Sequence, residues 1–94
     1  VEEDGPQITR TALDKQKKRD RQSREAEKAR KAEQAALEMA IMQKEKDIAA
    51  QELLLAEPEV YSSPERAREA ALSLKNMQDA LEALYDQWAE MEEA

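Results

Sequence analysis

AEPEVYSSPE, residues 56–65, decides the fold, because it holds two of the three prolines and separates two long runs of helix-forming residues. Pro58 keeps Glu57 out of the α region, so a helix arriving from the N-terminal side ends there. Ser63, Pro64 and Glu65 supply a capping hydroxyl, a proline suited to the first helical position and an acid for the first turn, which together start a second helix. Ser62 with Glu65 offers a capping box one residue earlier. A connection of about six residues between two helices favours an antiparallel return. The tip therefore spans 58–63, with Pro58, Tyr61, Ser63 and Pro64 as its defining residues and Val60 and Tyr61 closing it.

On the C-terminal side, residues 64–94, the apolar pattern is a regular heptad. Ala67, Leu74, Leu81 and Trp88 fall seven apart, and Ala70, Met77, Leu84 and Met91 follow each by three. Such a repeat makes one continuous coiled-coil seam. The segment 13–57 has neither Pro nor Gly before the break, and its seam is Leu37, Ile41, Ile48 and Leu55, with Lys44 and Gln51 at intervening positions. The expected fold is all-α: a two-helix antiparallel coiled-coil hairpin, preceded by a flexible tether over residues 1–12. If the tip centres near Val60, equal rise along the two helices sets Ala94 beside residue 26. The preceding residues then form a basic N-terminal overhang, with Leu13 as its only large apolar residue, and this overhang is expected to fray unless a partner orders it. The same register brings Trp88 against Ala29, Ala32 or Ala36, a core role that outweighs its use with Tyr85 as a partner-binding hot spot.

Composition removes most chemical functions. The chain of 94 residues has no Cys and no His, which takes away disulfides, thiol chemistry, imidazole bases and the commonest metal ligands. Exposed helical acids such as Glu90 and Glu93 have no partner that would make them catalytic or metal-binding, so no catalytic, cofactor-binding or metal residue is assigned. No run approaches the roughly 18 apolar residues that span a bilayer, and Val1 to Gly5 is acidic rather than a basic leader. A non-catalytic, soluble chain without membrane or small-molecule partners is expected, and it starts like a fragment of something larger.

Net charge is −7, but its distribution matters more than its total. Residues 10–31 hold ten basic side chains against four acids, a local balance of +6, while residues 33–94 carry five basic and fifteen acidic residues, a balance of −10. Lys15, Lys17, Lys18, Arg19, Arg21, Arg24, Lys28, Arg30 and Lys31 form the candidate nucleic-acid-binding set, because clustered cations neutralise phosphates with little sequence preference. No aromatic residue is interleaved with them, which points to backbone contact rather than base stacking. A solvated linker helix would carry the same charges, and a protein-interaction or spacer hairpin without nucleic-acid binding is the alternative function.

The stretch from Ala56 to Ala94 closely resembles the end of ABC-F proteins, tandem ATP-binding-cassette ATPases that act on the ribosome. The resemblance rests on EPEVYSSPE at the tip, then Leu81, Glu82, Ala83, Leu84, Tyr85, Trp88, Glu90 and Glu92. The segment DKQKKRDRQSREAEKARK looks like the basic connector that leaves the second ATPase domain. The resemblance implies a C-terminal coiled-coil arm, cytoplasmic, serving translation through ribosomal RNA or, for some members, DNA. It also implies that ATP and Mg belong to the ATPase domains of the parent chain, since no phosphate-binding glycine–lysine loop occurs here.

Overall fold

The computed structural model describes residues 10–93, and among them every element is an α-helix: α1 (Arg10–Leu55), α2 (Pro58–Tyr61) and α3 (Pro64–Glu93). The chain divides into two compact units, Val1–Glu33 and Gln34–Ala94. Residues 1–9 of the expected tether lie outside the described residues, whereas Arg10, Thr11 and Ala12 belong to α1.

In the first unit residues 10–33 are helical throughout. The sequence accounts for this: the run lacks Pro and Gly and is filled with Lys, Arg, Gln, Glu and Ala, all strong helix formers. Pairs on neighbouring turns add to it. Gln16 Nε2 donates to Asp20 Oδ1 at 3.3 Å, and Arg30 pairs with Glu27 at 3.1 Å.

In the second unit, α1 ends where Pro58 requires it. Glu57 is extended, with φ −76° and ψ 133°, and the last turn tightens through Ala56 N–H to Leu53 O and Glu57 N–H to Leu54 O, both 3.1 Å. The tip, expected to be a loop over 58–63, instead contains the single helical turn α2. Pro58, lacking an N–H, suits the first position of that turn. Tyr61 N–H then donates to Glu57 O at 3.0 Å, and the Ser62 hydroxyl and N–H both donate to Pro58 O. Because consecutive residues of a helix point about 100° apart, only one of Val60 and Tyr61 can face inward. Val60 is buried at 8% exposure, while Tyr61 is 61% exposed and does not close the tip. The helix α2 packs on α3.

Of the two candidate caps for α3, Ser63 is the one used: its Oγ accepts from Arg66 N–H at 3.3 Å, and Ala67 N–H donates to Ser63 O at 2.8 Å. Ser63→Ala should therefore lower the stability of the second unit by about 1 kcal/mol, read as a drop in the thermal midpoint of helical circular dichroism. Ser62→Ala leaves that cap intact, and a larger loss at Ser62 than at Ser63 would contradict the assignment.

Leu37, Ile48, Leu55, Leu74, Met77, Leu81, Leu84, Trp88 and Met91 are half-buried and Ile41 is buried, as is Ala70. Lys44 and Gln51 are half-buried at the polar positions of the same stripe. Gln51 Nε2 donates to the carbonyl of Ala70 at 3.1 Å, an approach made possible by the small alanine side chain. A polar seam residue satisfied in this way favours one register over its neighbours.

The register differs from expectation. Gln34 bonds Glu92, Trp88 Nε1 donates to Glu38 Oε2 at 3.3 Å, Tyr85 OH donates to Glu45, and Gln51 reaches Ala70, so partners on α3 descend as those on α1 ascend. The pairs do not share one midpoint: that of Glu38 and Trp88 is Ser63, whereas that of Gln51 and Ala70 falls between Val60 and Tyr61. Trp88 meets Glu38, Ile41 and Met42 rather than Ala29, Ala32 or Ala36, all three of which are exposed.

Candidate functional site

All nine candidate phosphate-binding residues lie on the part of α1 within the first unit, and all are exposed. At 3.6 residues per turn they do not share one face. Lys17, Arg21, Arg24, Lys28 and Lys31 recur at spacings of four, three, four and three, which aligns them along a single line about 21 Å long. Asp20, Glu25 and Glu27 flank that line rather than lie on it, Asp20 and Glu27 each four residues before one of its cations. Lys15, Lys18, Arg19 and Arg30 lie off the line. Arg30 is ion-paired with Glu27, whose carboxyl is held below the ordinary range by the Arg30 hydrogen bond and charge, with a smaller contribution from Lys31.

The line is a feature that the density of basic residues did not distinguish. Its spacing is present in the sequence, but it becomes geometry only if the segment is a continuous helix. A straight row of cations with rotatable side chains contacts successive phosphates as point charges, without reading base edges. Such an array can neutralise a polyanion. Among the described residues no group of three or more Asp, Glu, His or Cys side chains is placed to hold a metal ion. Among the described residues no helix is long and apolar enough to cross a membrane.

The second unit holds a different kind of feature, where Tyr85 and Trp88 of α3 stand beside Glu38 and Glu45 of α1. The hydrogen bond from Tyr85 to Glu45 favours the neutral phenol and pushes its pKa above the ordinary tyrosine value, with desolvation and the Glu45 charge acting in the same direction. A pKa raised on folding means that this contribution is complete below the ordinary tyrosine range and is lost as pH rises through the elevated value. In a Tyr61→Phe background, which isolates the Tyr85 phenolate absorbance, Glu45→Ala should move the titration midpoint down. An unchanged midpoint would show that Glu45 does not hold the phenol.

Comparison with known proteins returned no matching family model, no matching curated protein and no matching solved structure.

Proposed function

We propose that the chain is the non-catalytic coiled-coil arm of an ABC-F ATPase, an antiparallel two-helix hairpin with a basic N-terminal segment that contacts nucleic acid. Ribosomal RNA is the primary ligand and duplex DNA the secondary one. The observation that carries this reading is the single-sign line of Lys17, Arg21, Arg24, Lys28 and Lys31 on an exposed helix. The descending order of α3 partners and the two matched seams support the hairpin. The motif at 56–94 supports the family. In this account ATP and Mg act in the parent's ATPase domains, the setting is cytoplasmic, and the arm supports translation by adding affinity for the RNA surface.

Phosphate contact explains why the basic residues are concentrated in one segment of a chain whose overall charge is negative. Polyanion binding depends on local cation density, because counterions are released where cations line the backbone. Fluorescence anisotropy with a labelled structured RNA and a labelled duplex DNA tests the reading directly. The wild-type chain should bind both at low salt, and a variant with Lys15, Lys17, Lys18, Arg19, Arg21 and Arg24 changed to Gln should bind neither. Equal binding by the two proteins would leave the hairpin as a spacer or protein-docking element.

A further inference from the structure

Within the second unit, Ile41 and Met42 of α1 and Tyr85 and Trp88 of α3 wall an open apolar groove, with Glu38 on its lining. Met42 and Tyr85 remain 57% and 44% exposed. Trp88 Nε1 donates to Glu38 Oε2 at 3.3 Å and Tyr85 OH donates to Glu45, so each aromatic ring has a carboxylate tethered beside it. Both donors, an indole N–H and a phenol O–H, are neutral groups. Aromatic faces, an aliphatic floor and adjacent carboxylates match a flat cation on a methylene stem. A guanidinium can stack on an indole or phenol ring and pair with a carboxylate, while its methylenes cover Ile41 and Met42.

We propose that this groove docks an arginine side chain from a basic segment of a protein partner. The surroundings favour such a segment: residues 34–94 carry fourteen acids against five basic residues. That field attracts a cationic peptide and raises its rate of encounter. A second copy of the chain is a poorer occupant, because its basic residues 10–31 would reach the groove only with residues 33–94, of balance −10, in tow against the same acidic field. The assignment is independent of the phosphate-binding line, which belongs to the other unit.

Trp88 is the sole tryptophan and reports on the groove directly. Titrating the full chain with a short Arg-Ala repeat peptide should shift its emission saturably, and the matching Lys-Ala peptide should bind several-fold more weakly. The double variant Glu38→Gln with Glu45→Gln preserves both hydrogen-bond acceptors while removing the charges, and it should bind the arginine peptide about tenfold more weakly. Glu82→Gln with Glu90→Gln removes the same charge from α3, away from the groove lining, and should change affinity by about twofold or less. Equal weakening by the two double variants, or peptide binding that leaves Trp88 emission unmoved, would overturn the proposal. Salt-sensitive self-association that moves Trp88 emission without added peptide would also overturn it, by assigning the groove to the basic helix of a second copy. Loss of RNA binding on neutralising the first unit leaves the response of Trp88 to added arginine peptide unchanged, so the two readings fail separately.

Discussion

Changing Lys17, Arg21, Arg24 and Lys28 together to Gln is expected to weaken binding of structured RNA by about 100-fold at low salt, whereas changing Lys15, Lys18, Arg19 and Arg30 costs about threefold. The two sets remove the same charge from the same helix and differ only in alignment. Cations on one line of α1 approach a phosphate backbone together, while those at other phases contribute through the general field. Arg30 is further engaged by Glu27. Circular dichroism should show both variants equally helical, since Gln, Lys and Arg have similar helix propensities. Equal losses in the two sets would mean that the segment binds as a disordered polycation rather than as an ordered helix.

The second large effect belongs to the seam. Ile41 is one of three buried apolar residues among those described, with Val60 and Ala70, and it lies where α1 meets Tyr85 and Trp88. Ile41→Ala removes three methyl or methylene groups from that contact and should destabilise the second unit by about 2 kcal/mol, at the low end for such substitutions because an open site can partly collapse. The measurement is the urea midpoint followed by helical ellipticity. Met39→Ala, at a position 72% exposed, should shift the midpoint by less than about 0.5 kcal/mol. If the two substitutions proved equivalent, α1 would not be held by the face that buries Ile41.

Much of this was legible in the sequence, and the reasons differ between elements. The heptads could be read because α3 places Leu74, Met77, Leu81, Leu84, Trp88 and Met91 on one stripe with strict spacing, and every one of them is at least half-buried. The start of α3 could be read because Pro64 suits a first helical position, while the choice between Ser62 and Ser63 as its cap needed the structure. The turn α2 could not, because a proline-bounded break does not distinguish a helical turn of four residues from loop. Trp88 meets Glu38 rather than the alanines at 29, 32 and 36, and the aromatic–carboxylate groove made there is something no spacing in one helix could have revealed. The basic line escaped notice for another reason: its five cations are obvious as composition, but their alignment requires the helix to persist through a segment with almost no apolar residues to hold it.

The most direct test of the central claim is the dependence of RNA affinity on salt for the wild-type chain, plotted as log Kobs against log salt concentration. Five aligned cations engaging five phosphates give a slope between about −3.5 and −4.5, depending on whether the contacted backbone is single-stranded or duplex. A slope near zero, or no binding to structured RNA or duplex DNA at low salt, would contradict the account and leave the line of cations as a solvated helix face.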